Sequence, residues 1–160
     1  MWDVFFDPEF ILKGLGIQYL TGTIVDLGCG YGTFTILVAQ ANQGTVVALD
    51  IEKEMVVATQ KKADQAGLVN ISIVQRDFLT VGTGLPETSY EYVMLFNILH
   101  AEEPLKILAD AHRILVQGGR VGVIHWIHDG TTPRGPSLNI HPTPKQCQSW
   151  LIEAGFNIVG

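Results

Sequence analysis

Residues 23–41 read Thr23-Ile24-Val25-Asp26-Leu27-Gly28-Cys29-Gly30-Tyr31-Gly32-Thr33-Phe34-Thr35-Ile36-Leu37-Val38-Ala39-Gln40-Ala41. An apolar, partly β-branched run stops at three glycines in alternate positions, after which Phe34, Leu37, Val38 and Ala41 recur at helical spacing. This is the pattern of a strand, a tight turn and a helix. Residues 45–49 form a second short β-branched run closed by Asp50, and residues 54–66 then read as a polar-faced helix stopped by Gly67. Residues 71–75 alternate apolar and polar side chains before Arg76-Asp77-Phe78, and a Gly/Thr-rich loop over residues 80–86 leads into a strand over residues 92–96. Pro104 opens a helix carrying Leu105, Leu108, Ala109, His112 and Leu115 on one face. Gly118-Gly119 is expected to end that helix before a fifth strand at residues 120–127. Loop chemistry fills residues 129–142, and Thr143 as N-cap with Pro144 at the first position predicts a last helix reaching Ala154, stopped by Gly155.

Strands alternating with helices imply an α/β fold, a doubly wound Rossmann-like sheet that is mostly parallel. At 160 residues the chain fits one domain, with residues 1–20 as a short N-terminal segment and 129–142 as a loop on the substrate side. A 47% apolar content with 16% charged residues excludes a disordered chain. The net charge of −6 gives no general attraction for a phosphate backbone, so a nucleic-acid partner is disfavoured. Two cysteines are too few for a disulfide framework, the first residues lack a basic leader, and no apolar run is long enough to span a bilayer. A cytoplasmic location, with no membrane contact, is expected.

Doubly wound sheets bind ligands outside the carboxyl ends of their strands, where the strand order reverses. The loop after the first strand is therefore the place to look. Its glycines allow a sharp turn and a close approach to a ligand, and the helix behind it presents free N–H groups. Taken alone, such a loop is only a tight turn. Asp50, about 20 residues on, is placed to accept both hydroxyls of a ribose. Asp77 ends the third strand where it can accept from an exocyclic amine, with Phe78 beside it. Three acids, Asp26, Asp50 and Asp77, at three strand ends are hard to explain as core.

In these residues the chain resembles the class I S-adenosylmethionine (SAM)-dependent methyltransferases, especially the ubiquinone-biosynthesis type. The likeness runs from Val25-Asp26-Leu27-Gly28-Cys29-Gly30-Tyr31-Gly32 through Ala48-Leu49-Asp50 and Arg76-Asp77-Phe78 to Gly118-Gly119-Arg120. The resemblance implies SAM as cofactor. It implies that Asp26 and the loop of Gly28, Cys29, Gly30, Tyr31 and Gly32 hold the methionine end and that Asp50 binds the ribose. It further implies that Ile51 packs on the adenine, that Asp77 meets its amine, that the Phe78 backbone meets a ring nitrogen, and that Asn97 contacts the methionine part. It implies the family's sheet topology, here without the last antiparallel strand. Glu91 stands near the position where the family places Asp.

A dinucleotide-binding domain is the main rival, but its third glycine would fall at Thr33, and Asp26 suits an α-ammonium group better than a pyrophosphate. A SAM- or nucleotide-binding domain without turnover, or a piece of a larger enzyme, is the alternative reading. Methyl transfer is an in-line displacement in which alignment supplies much of the acceleration, so no protein nucleophile is required. A base serves only an acceptor that must lose a proton, and His100 and His125 are the candidates, each with a plain structural reading beside it. Trp126, His128 and Arg134 are expected to line the substrate side, and Tyr31, Trp2, Phe5 and Phe6 to cap the pocket. His125, His128, Asp129 and His141 do not predict a metal centre, because His125 and His128 would point to opposite faces of a strand. The motifs of adenine-N6, cytosine-C5 and arsenic methylation are all missing, which leaves a small molecule as the acceptor and a homodimer as an open possibility.

Overall fold

The computed structural model describes residues 7–17, 20–126 and 140–160. Its elements are α1 (Pro8–Gly14), β1 (Ile24–Leu27), α2 (Thr33–Ala41), β2 (Val46–Asp50), α3 (Lys53–Gln65), β3 (Ile71–Gln75), α4 (Phe78–Val81), β4 (Tyr90–Phe96), α5 (Pro104–Ile114), β5 (Leu115–Ile124) and α6 (Pro144–Glu153). The five strands form one parallel sheet in the order β3-β2-β1-β4-β5. The chain winds outward from β1 to β3 and then returns to the other side of β1. The order therefore reverses between β1 and β4, and the crevice of such a sheet lies there.

Strand alternation divides the core into two layers. Val25, Leu27, Val93 and Leu95 pack with Ile107, Leu108, Ala111 and Ile114 of α5 and with Cys147 and Leu151 of α6. Ile24, Val46, Tyr92, Met94 and Phe96 pack on the other face with Leu12 of α1 and with Phe34 and Val38 of α2. Side chains of a strand point alternately to opposite faces, so Asp26 shares the face of Ile24 and looks toward α2. Strands buried on both sides explain why β1 and β4 carry almost unbroken apolar runs.

Two expected boundaries move. Helix α5 stops at Ile114, four residues before Gly118-Gly119, and β5 begins at Leu115. The glycine pair lies within β5: Tyr90 pairs with Leu115 but Tyr92 pairs with Arg120, so residues 116–119 bulge out of the ladder, with Gly118 at φ 77°. The continuous ladder begins at Arg120, as expected, and ends at Ile124 instead of Ile127; Ile127 lies outside the described residues. The helices α1 and α4 were not expected. Asp7 caps the first by accepting from the Phe10 amide at 3.1 Å, and Asp77 caps the second by accepting from the Thr80 amide at 3.1 Å. In α6, Thr143 and Gln146 form a reciprocal capping box, at 3.2 and 2.8 Å, behind Pro144.

Candidate functional site

The glycine loop curls back over the end of β2. The amides of Gly28 and Cys29 both donate to the Leu49 carbonyl, at 2.8 and 3.2 Å, and the Gly30 amide donates to Asp50 Oδ2 at 2.8 Å. Asp50 Oδ1 accepts from the Glu52 amide at 2.9 Å. A carboxylate oxygen accepts about two hydrogen bonds, so each oxygen keeps one direction for a further donor such as a ribose hydroxyl. Thr59 of α3 pins the loop from behind, its hydroxyl donating to the Gly30 carbonyl at 2.8 Å. A Cβ at Gly32 would stand 2.8 Å from the Thr59 methyl, and Gly32 itself holds φ 78°, so this position requires glycine twice over.

A Cβ at Gly28, which holds φ 83°, would stand 2.7 Å from Ile98 Cγ2. That contact bridges the crevice between β1 and β4 and ties the glycine loop to the turn that carries Asn97 and His100. Asn97 itself has φ 58°, and its amide donates to the Ile124 carbonyl at 2.7 Å. Gly30 is different from its neighbours. Nothing lies within 4 Å of where its Cβ would be, so the middle of the loop faces open space.

Asp26 is 2% exposed and accepts a hydrogen bond from the Thr35 hydroxyl at 2.6 Å. Burial pushes its carboxyl up to about 7; the Thr35 bond works against this and the neighbouring Asp50 adds to it. No Lys or Arg pairs with it among the described residues. Cys29 is buried and its thiol is pushed up to about 12, first by burial and then by Asp26 and Asp50, so it is a packing residue and not a nucleophile. Tyr31 and Ile51 are exposed. The Phe78 ring packs toward Gly28, and its amide donates to the Arg76 carbonyl at 3.0 Å.

His100 and His125, from the turn after β4 and the end of β5, are brought together edge to face with ring centroids 5.6 Å apart. Burial lowers both imidazoles below their ordinary value. His141 adds to the effect on His100, and His100 and His141 add to it on His125. Trp126 follows His125 at the same rim. His128 and Arg134, with Asp129 and the aromatics Trp2, Phe5 and Phe6, lie outside the described residues. A cavity of about 550 Å³ runs along the outer side of β5, lined by Gly16, Tyr92, Arg120, His125, Pro142 and Cys147 among others. None of the glycine loop, Asp50 or Asp77 lines it, so it is not the cofactor cradle.

Thr35, Thr59, Ile98 and His141 belong to the site without having been picked out for these contacts. A threonine inside a helix and an isoleucine after a strand carry no local signal, and what places them is contact across the sheet.

SAM offers a sulfonium, an α-ammonium, a ribose diol and an adenine. The residues present fit those groups. A buried carboxylate lacks a cation among the described residues, a second carboxylate keeps acceptor capacity beside the loop, and the loop is open at Gly30. Asn97 Oδ1 is also buried with no donor among the described residues.

Comparison with known proteins agrees. The profile of the methyltransferase domain family matches residues 24–119. Aklanonic acid methyltransferase DauC of Streptomyces sp. (strain C5) is 28% identical over 146 residues, which cover 84% of this chain and 66% of that protein. The 2-phytyl-1,4-naphtoquinone methyltransferase of Thermosynechococcus vestitus (strain NIES-2133 / IAM M-273 / BP-1) is 29% identical over 154 residues, 92% of this chain and 63% of that protein. The chain thus spans just under two thirds of these relatives. A crystal structure of a SAM dependent methyltransferase from Aquifex aeolicus superposes with a TM-score of 0.86 at 25% identity, covering 97% of this chain and 82% of that one. Sheet order, loop and family profile coincide over the same residues, and the chain belongs to the methyltransferase domain family, of the class I SAM-dependent type.

Proposed function

We propose that this chain binds SAM at the carboxyl rim of its sheet and transfers the methyl group to a small-molecule acceptor by direct displacement. The observation that carries the reading is Asp26: a carboxylate buried beside an open glycine loop, with no cation of its own among the described residues. A cationic ligand offsets the cost of burying that charge, which a pyrophosphate cannot do. Asp26 with the backbone of Gly28, Cys29, Gly30, Tyr31 and Gly32 holds the methionine end, and Asn97 Oδ1 accepts from it. Asp50 takes the ribose diol, Ile51 covers the adenine, and Asp77 and the Phe78 backbone meet its edge.

When bound, SAM supplies an electrophilic methyl group. The residues supply alignment, which is where most of the acceleration of such a displacement arises. His100 and His125 are the candidate bases on the acceptor side, with Trp126, His128 and Arg134 as its wall. Among the described residues no helix is long and apolar enough to cross a membrane. Two free, buried thiols, Cys29 and Cys147, support a reducing compartment such as the cytoplasm. The names of the two relatives, an aklanonic acid and a naphtoquinone methyltransferase, support a small organic acceptor.

Calorimetric titration with SAM, S-adenosylhomocysteine and NADH in parallel tests the reading. Micromolar binding of the first two and none of NADH is expected. Binding of NADH alone, or of nothing, refutes it.

A further inference from the structure

Three imidazoles meet where β4 and β5 end. His100 and His125 stand 5.6 Å apart between ring centroids at an interplanar angle of 74°, and His125 and His141 stand 5.8 Å apart at 75°. They come from three segments far apart in sequence: the turn after β4, the end of β5, and the approach to α6. Ile98, two residues before His100, is the side chain that approaches the glycine loop, so the turn that carries His100 adjoins the proposed cofactor cradle.

The hydrogen bonding of His125 favours one tautomer. Its Nδ1 lies 3.3 Å from the Trp126 carbonyl oxygen. A carbonyl can only accept, which favours the hydrogen on Nδ1 and the lone pair on Nε2. Nε2 is buried and no donor among the described residues reaches it. A buried acceptor in that condition calls for a donor from outside the chain.

We infer that this cluster is the acceptor subsite, that the acceptor is a hydroxyl compound of phenol or enol type, and that His125 Nε2 takes its proton. The inference rests on the methyl-transfer reading above. As the acceptor O–H bond breaks, the proton goes to Nε2. The oxygen's electron pair forms the bond to the methyl carbon, whose bond to sulfur breaks with its electron pair passing to sulfur. His125, left as an imidazolium, returns the proton to water.

The class of acceptor follows from what such a base can do. Burial and the two neighbouring imidazoles hold His125 neutral near pH 7, ready to accept, but they also make it a weak base. A weak base removes a proton from a phenol or enol and not from an aliphatic alcohol. A carboxylic acid reaches the site already ionised and brings no proton for Nε2. A thiol is a poor hydrogen-bond donor to a buried nitrogen. His100 and His141, packed edge-on at either side, position the His125 ring.

The test uses phenol and its methyl ether anisole, titrated at neutral pH, where the phenol keeps its proton, into the chain saturated with S-adenosylhomocysteine. The phenol is expected to bind about tenfold more tightly than the ether, the effect of one satisfied buried acceptor. His125→Phe keeps the ring shape; it is expected to retain S-adenosylhomocysteine binding and to abolish the preference. Equal binding of the two probes, or binding of neither, by a chain that takes up S-adenosylhomocysteine overturns the inference and leaves the methyl-transfer reading standing. A chain that takes up no S-adenosylhomocysteine overturns both. Nitrogen-15 spectroscopy of the histidine rings gives a second reading: an Nε2–H tautomer at His125 also overturns it.

Discussion

Asp26→Asn is expected to change how the stability of this protein depends on pH. The Asp26 carboxyl ordinarily ionises at 3.8 and in the fold is raised to about 7 by burial. The native chain therefore holds a proton that the unfolded chain has released over the whole interval between those values. Stability from this group is fully present below about pH 4 and is lost as pH rises toward about 7. Each pH unit is worth about 1.4 kcal/mol, so the full interval corresponds to roughly 4 kcal/mol as an upper figure. An asparagine keeps an oxygen for the Thr35 hydroxyl and carries no charge, so the variant gains nothing at low pH and avoids the loss at high pH. Urea denaturation of both proteins at several pH values from about 4 to about 8 measures the difference. The curves are expected to meet near pH 4 and to separate in favour of the variant as pH rises. The bound cofactor should act through the same proton: a cation beside Asp26 favours the carboxylate, so SAM binding releases a proton and weakens as pH falls below about 7. Calorimetry in buffers of different ionisation enthalpy detects that release. Parallel stability curves for the two proteins, with a binding enthalpy independent of buffer, would refute the reasoning.

Three further outcomes are expected. Gly28→Ala forces a side chain into φ 83° and against Ile98, at roughly 2–4 kcal/mol of stability, and Ile98→Ala in the same chain recovers the steric part only; denaturant midpoints of the single and double variants separate the two. Asp50→Ala removes the acceptor of the Gly30 and Glu52 amides as well as that of the diol, so calorimetry should show SAM affinity falling at least about tenfold while Tm also drops. Thr143→Ala breaks the capping box of α6 and should cost about 1 kcal/mol in urea denaturation with SAM affinity unchanged, since the cap touches none of the cofactor residues.

The sequence showed the frame of this site because the frame is local. A β-branched run, a glycine series and a 3.6-residue period occupy consecutive residues 24–41, and each announces its conformation through its own backbone chemistry. The border between α5 and β5 was not legible in this way. Leu115 continues the apolar spacing of the helix, and only pairing with Tyr90, 25 positions earlier, draws it into the sheet. Position 59 shows the same limit. A threonine on a charged helix reads as surface, yet Thr59 is fully buried and holds Gly30 across 29 residues. The surroundings of His125 lay further still from the pattern, since they depend on one carbonyl at Nδ1 and on the lack of a donor at Nε2 among the described residues.

The meeting of Ile98 with Gly28 also bears on kinetics. Two loops that touch at van der Waals range across the crevice do not order independently, so whatever fixes the glycine loop also steadies the turn that carries His100. Donor entry then completes the surface on which the acceptor lands. For the proposed methyl transfer this predicts a compulsory order, SAM first on and S-adenosylhomocysteine last off, which product-inhibition kinetics would check.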